Sequence, residues 1–319
     1  MSSLTLPAAQ VPTLYFVGVT TGASSIRTVF PRWAQELGID AVLAGIDLPL
    51  HARAEDYRAV VRSIAADPLA MGALVTTHKV DLFAACADMF DVIDPLARLM
   101  GEVSCISKRD GALVCHAKDP VSCGLALDAM LGERYWAHAP ADAFIMGAGG
   151  SGIAISWYLT QPRLGVNRPE RLIVSNRDQA RTDNFRRIYE QMETGIDLEL
   201  TAADDPDAND RLLARCRPGS LVVNATGLGK DVPGSPLAGG ARFPRRAVAW
   251  DLNYRGDLVF LDQARAQQRE LELDVHDGWV YFLHGWIQVI AEVFHRDVPV
   301  SGAAFDRLAK LAESVRRTS

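Results

Sequence analysis

Cysteine is scarce in this chain. The five residues among 319, Cys86, Cys105, Cys115, Cys123 and Cys216, are odd in number and form no C-x-x-C pair. Neither a disulfide framework nor a zinc knuckle is therefore expected. His116, His276 and His284 show no metal-ligand spacing, and no metal site is predicted. Basic charge is not in excess. With 33 Lys+Arg against 39 Asp+Glu the formal net charge is −6, which argues against nucleic-acid binding but allows a local phosphate site. The start, MSSLTLPAAQVPT, lacks a basic stretch followed by an apolar run and does not read as a secretory signal. Residues 143–161 carry no charge, yet Gly147, Gly149, Gly150 and Gly152 interrupt them where a membrane span needs continuous apolar side chains. No membrane association is predicted, and a cytoplasmic location is the expectation. There is no internal repeat and no low-complexity tract.

What is present is the composition of an ordinary globular protein. Hydrophobic residues at 49% and charged residues at 23% exclude a disordered chain and leave material for a sizeable core. TLYFVGV (13–19), AVLAGIDLP and GALVTTH read as strands. They alternate with helical stretches at VFPRWAQELG, EDYRAVVRSIAAD and VDLFAACADMF. This β-α rhythm is that of a parallel sheet covered by helices. VSCISKRDGALVCHA then reads as a hairpin turned at Asp110-Gly111. After the helical PVSCGLALDAML and a polar hinge, a second series begins: DAFIM, a glycine turn, RLIVSN, a helix from about Asp178 to Glu193, LELTAAD, SLVVNAT and AVAWDLNY. Helices close the chain, from Trp279 to about His295 and from Ala303 to Arg317. The expected fold is α/β with two domains. An α/β domain spans 1–120, a Rossmann-type dinucleotide-binding domain 138–275, and the helices of 276–319 return to the first domain.

The strongest local signal is Gly147-Ala148-Gly149-Gly150-Ser151-Gly152, a G-x-G-x-x-G. The first glycine permits a tight strand-to-helix turn, the second lets a pyrophosphate approach, and the third lets helix and strand pack closely. Amides at the helix start then hold the phosphates. The apolar AFIM before it and IAISWYL, read as an amphipathic helix, after it supply the required strand-turn-helix context. Gly150 and Ser151 belong to the same loop. Where an adenosine ribose would lie, the chain offers Asn176, Arg177 and, four residues on, Arg181. Two guanidiniums can clamp a 2′-phosphate, so NADP is expected over NAD. Asp178, a carboxylate beside that site, keeps NAD open as an alternative.

These segments resemble the shikimate/quinate dehydrogenase family. GAGGSG, SNRDQAR, LVVNATGLG and DLNY are similar to its glycine loop, its N-R-T-x-x-R clamp, its I-N-A-T segment and its D-x-x-Y. The substrate half is eroded. The family's N-V-T-x-P-[FH]-K is ALVTTHK at 73–79, keeping His78 and Lys79 but not the proline. Its A-V-N-T is Glu102-Val103-Ser104-Cys105, and its N-T-D-G is Ala117-Lys118-Asp119-Pro120. Its S-x-S corresponds to the region around Ser24 and Ser25, and Gly285 stands where a glutamine belongs, Gln288 being nearly one turn on. The resemblance implies Lys79 and Asp119 as the catalytic pair. It adds Asn224, Thr226, Tyr254 and Gly278 to the cofactor site, and implies Ser24, Thr76, Ser104 and Tyr254 as substrate contacts.

Read without the resemblance, a lysine after a strand is a solvated surface residue and an aspartate before a proline is a helix cap. With it, an NADP-dependent oxidoreductase is expected. It would interconvert a ring hydroxyl and a ketone on a small cyclic hydroxy acid or polyol, in a cleft between two domains. The alternative is a nucleotide-binding sensor or regulator that has lost turnover. Lys118 would add a cation near the pocket, and Trp279, Tyr281, Phe282 and Trp286 would form core or a bulkier pocket wall. A small molecule is the only partner expected, and the sequence is compatible with a monomer or a homodimer.

Overall fold

The computed structural model describes residues 6–137, 139–192, 194–230 and 232–316. The chain divides into two units, Met1–Asp119 with Leu283–Ser319, and Pro120–Phe282.

The first unit is built on β1 (Thr13–Gly18), α1 (Ile26–Leu37), β2 (Val42–Asp47), α2 (Ala54–Ala66), β3 (Ala70–Val75), α3 (Lys79–Cys86), β4 (Val92–Ile93), α4 (Pro95–Met100), β5 (Cys105–Arg109) and β6 (Ala112–His116). The sheet order is β2-β1-β3-β5-β6-β4. β1 pairs in parallel with both β2 and β3, whereas β5 is antiparallel to β3 and β6. Asp110 (φ 51°) and Gly111 (φ 84°) both take positive φ in the β5–β6 turn, the conformation that a two-residue hairpin favours. Ile26, Val29, Phe30 and Trp33 bury one stripe of α1 at helical spacing.

The second unit runs through α5 (Asp119–Leu131), which starts on the last residue of the first, then β7 (Asp142–Met146), α6 (Gly150–Leu159), β8 (Arg171–Asn176), α7 (Gln179–Glu190), β9 (Asp197–Ala202), α8 (Pro206–Leu213), β10 (Leu221–Asn224), β11 (Val248–Asp251), α9 (Val259–Leu271) and β12 (Asp274–His276). Its six strands are all parallel in the order β12-β11-β10-β7-β8-β9. Counted within the unit, this is the doubly wound 6-5-4-1-2-3 arrangement, with its switch point between β7 and β10. Every residue of β7 and of β10 is buried, as expected of central strands covered on both faces. α10 (Trp279–Val293) begins in this unit and continues into the first, and α11 (Gly302–Arg316) belongs to the first. There the Trp33 indole donates to Leu308 O at 2.8 Å, fastening α11 to α1.

Several elements differ from the sequence reading. α6 is not amphipathic. Gly152 to Ser156, Tyr158 and Leu159 are all buried, because a helix beside the switch point is covered nearly all round. α4 and α8 are additional, and each opens on an Asp-Pro pair. Asp94 accepts from Ala97 N at 2.8 Å and Asp205 from Ala208 N at 2.7 Å, with proline at the first helical position. α9, β4 and β12 are additional as well. α7 ends at Glu190, and Glu193, where the sequence reading ended it, lies outside the described residues, as does His138.

Candidate active site

In the second unit β7 ends at Met146 and the chain reverses at Gly147, whose φ of +120° suits glycine. A Cβ at Gly147 would lie 2.5 Å from Ala225 O, and one at Gly152 would lie 2.1 Å from Gly147 O. Both positions therefore require glycine, the first for the approach of β10 and the second for the seating of α6. Gly149 differs, since its nearest such neighbour is Arg181 Nη1 at 3.4 Å. It is the N-cap of α6, and no side chain caps that helix. Gly150, Ser151 and Gly152 form its first turn, so the amides there are oriented for an anion.

A cavity of about 490 Å³ opens beside this turn, lined by Gly147 and Gly149 together with Asn176, Arg177, Arg181 and Thr226. The turn and the arginines thus share one cavity, and the residues present fit a dinucleotide's phosphates. Asp178 lines the same cavity, half exposed, but its carboxylate is partly engaged. Its Oδ1 caps α7 by accepting from Ala180 N at 2.9 Å and Arg181 N at 3.3 Å, and its Oδ2 lies 3.8 Å from Arg181 Nε. The capping amides and the arginine offset the charge that sequence reasoning set against a phosphate. Asp204, Asp205, Asn209 and Ser235 also line the cavity. Sequence reasoning missed them, although the Asp205-Pro206 helix start was a legible signal.

Asn224 is not among the lining residues. It is fully buried, accepts from Thr226 N (3.1 Å) and Thr226 Oγ1 (2.7 Å), and donates to Leu228 O and Asp251 Oδ2, both at 3.2 Å. Its work is to shape the turn that presents Thr226. Burial pushes the Asp251 carboxyl up to about 6, against hydrogen bonds from Asn253 and Asn224 that pull it down. Tyr254 packs on Phe282 and Trp279, ring centroids 4.8 and 5.3 Å away. Gly278 sits so close to Leu252 that a Cβ would lie 1.9 Å from Leu252 O. Neither residue lines the cavity.

In the first unit Lys79 opens α3 and Asp119 opens α5. Though 40 residues apart, their side chains are hydrogen-bonded to each other. The Asp119 side chain is 9% exposed and that of Lys79 20%, so the pair is mostly desolvated while one face stays accessible. Thr76, one residue past β3, accepts Lys79 N through its backbone O at 3.1 Å and donates its own N to Val17 O at 3.0 Å. Ser24 follows the turn after β1, with its N on Thr21 O. Ser104 is buried, and its Oγ accepts Lys118 N at 2.6 Å. Its hydroxyl thus braces the residue before Asp119. Lys118 pairs with Glu292 Oε2 at 2.7 Å. His78 is buried, with Nδ1 hydrogen-bonded to Tyr57 OH at 3.0 Å. Trp286 packs edge-on against Phe16, which makes it core, and a Cβ built on Gly285 would meet nothing within 4 Å beyond its chain neighbours and its own helix backbone.

No family model matches the chain. Over 184 residues it is 32% identical to the NADP(+) shikimate dehydrogenase of Streptococcus thermophilus, a match over 56% of this chain and 59% of that protein. The chain thus matches less than two thirds of that relative's length. Quinate dehydrogenase from Corynebacterium glutamicum, solved with NAD, superposes with a TM-score of 0.72 at 19% identity, covering 95% of this chain and 99% of that one. Shikimate 5-dehydrogenase from Thermus thermophilus, solved with NADP(H) and shikimate, gives 0.68 at 22%, with 95% and 99% coverage. Those two likenesses establish the α/β fold with its Rossmann-type unit. Among the described residues no helix is long and apolar enough to cross a membrane. The chain is thus similar in sequence to shikimate dehydrogenases over little more than half its length, and it shares the fold of the shikimate and quinate dehydrogenase structures.

Proposed function

We propose that the protein is an NADP-dependent dehydrogenase interconverting a ring hydroxyl and a ketone on a small cyclic hydroxy acid or polyol, with Lys79 and Asp119 as its catalytic pair. The observation that carries this is the hydrogen-bonded, mostly buried Lys79–Asp119 pair just past the carboxyl ends of the parallel strands of its sheet. A nicotinamide dinucleotide bound at the glycine turn supplies the hydride acceptor or donor. The Gly149–Gly152 helix start would hold its pyrophosphate, with Arg177 and Arg181 on a 2′-phosphate. Alcohol oxidation also needs a base for the hydroxyl proton. Lys79 is positioned for that role by Asp119, whose carboxylate orients the amine and accepts a hydrogen bond from it. The proton is then handled by a pair shielded from bulk water, where electrostatic interactions are strengthened.

One observation favours the sensor reading. Ser104, where the family has an asparagine, spends its hydroxyl on Lys118 N. A panel of shikimate, quinate and related cyclic polyols with NADP, run also in reverse with the ketones and NADPH, separates the two. The dehydrogenase reading expects cofactor consumption with at least one ring alcohol or ketone. Tight NADP binding with no consumption on the whole panel would favour the sensor.

A further inference from the structure

A buried carboxyl near this pair has no part in the reading above. Glu102 follows α4 and is 1% exposed, and its Oε1 has no hydrogen-bond partner. Glutamate is almost never buried this way without a partner or a task. The backbone ties its segment to both catalytic candidates. Val103 N donates to Lys79 O at 3.1 Å, and Ser104 Oγ accepts the amide of Lys118, the residue before Asp119. We infer that Glu102 is a positioning residue acting through Lys79 and Asp119, as the store for the proton that leaves the substrate hydroxyl.

The inference rests on the dehydrogenase reading. In the oxidation the substrate O–H and C–H bonds break and a carbonyl forms. The C–H electron pair leaves as hydride to the nicotinamide dinucleotide, and the O–H proton passes to the Lys79–Asp119 pair. The Lys79 ammonium can take that proton only as it yields one of its own, which the Glu102 carboxylate accepts in becoming a neutral acid, and reduction runs the transfers backwards. Burial pushes this carboxyl up, the Asp119 carboxylate pushes it further, and the Lys79 cation draws it down, for a value of about 7. Such a group changes hands with its neighbours near neutral pH, where an ordinary glutamate stays ionised. Cys115 of β6 also feels Glu102, but burial drives its thiol well above the ordinary range. It stays neutral and leaves Lys79 from α3 and Asp119 from α5 as the charges that act on Glu102.

The test uses the whole chain with ¹³Cδ-labelled glutamate, the Glu102 signal being assigned by its loss in Glu102→Gln. The signal should titrate near pH 7, move up in Lys79→Met and move down in Asp119→Asn. The pH profile of kcat for alcohol oxidation should show an ionisation near the same pH that Glu102→Gln removes, with KM changed less than about twofold. A midpoint in the ordinary carboxylate range, indifference to both variants, or an unaltered pH profile overturns the inference. With no alcohol oxidised, the dehydrogenase reading falls and takes the proton store with it. With turnover intact and the coupling or the pH effect missing, the proton store alone falls. Glu102→Ala supplies the same assignment and profile if the glutamine variant fails to fold.

Discussion

The two glycines of the candidate phosphate turn should respond differently to a single added methyl group. At Gly152 a Cβ would stand 2.1 Å from Gly147 O and 3.2 Å from Gly147 C. Those are backbone atoms of the same turn, so relief means moving strand against helix by roughly 1 Å. Overpacking of this kind costs about 1–3 kcal/mol. In a unit of this size the Gly152→Ala melting temperature should fall by about 3–10 °C. At Gly149 the nearest atom is the Arg181 guanidinium at 3.4 Å, and φ −84°, ψ −173° suits any residue. Gly149→Ala should therefore melt within about 2 °C of the parent. Its methyl nonetheless projects where a pyrophosphate must approach the α6 amides, so NADP should bind at least about tenfold more weakly. Thermal melts with and without NADP, paired with calorimetric titration, read both effects. A Gly152→Ala protein with parental melting, or a Gly149→Ala protein with parental NADP affinity, would refute the geometry argued for this turn.

Three further outcomes follow from the structure. Arg181→Ala should weaken NADP about tenfold, as expected for a lost charge-assisted hydrogen bond, while changing NAD little; equal losses for both would remove Arg181 from the 2′-phosphate. Glu102 ionises near 7 when folded against an ordinary 4.5, so the stability its neutral form retains at low pH is lost as pH rises from about 4.5 through about 7. At about 1.4 kcal/mol per pH unit, Glu102→Gln should gain on the parent by roughly 3 kcal/mol across that window, then hold level above it; urea denaturation showing a pH-independent difference would contradict this. Trp33→Phe removes the donor to Leu308 O in a buried contact. It should cost the protein about 1–3 kcal/mol, and no shift in the denaturation midpoint would argue against α11 being fastened there.

Much of the second unit was legible in the sequence because its central strands are short apolar runs bounded by turns, and the glycine spacing has a steric cause visible at Gly147 and Gly152. Helix α9 was harder to find. It starts after Leu258 in a left-handed conformation (φ 50°) with no side-chain cap, so nothing local announces it. α6 misled because burial on every side erases the amphipathic stripe. The Lys79–Asp119 pairing was out of reach of periodicity, since a hairpin and two helix starts bring together residues 40 apart; the family resemblance suggested both residues. Nothing in the sequence sets Glu102 apart, and its burial is seen only in the structure. The resemblance assigned Asn224 to the cofactor site, and in the structure its side chain bonds Thr226, Leu228 and Asp251.

The most direct measurement compares NADPH formation by the parent protein and Lys79→Met on the best ring alcohol, with the NADP dissociation constant determined on the same samples. Loss of a positioned proton acceptor should lower kcat by about 10²-fold or more, with the dissociation constant unchanged, because the glycine turn and the arginines belong to the second unit and Lys79 to the first. Equal rates in the two proteins would contradict the account, as would a parent that binds NADP and reduces none of it.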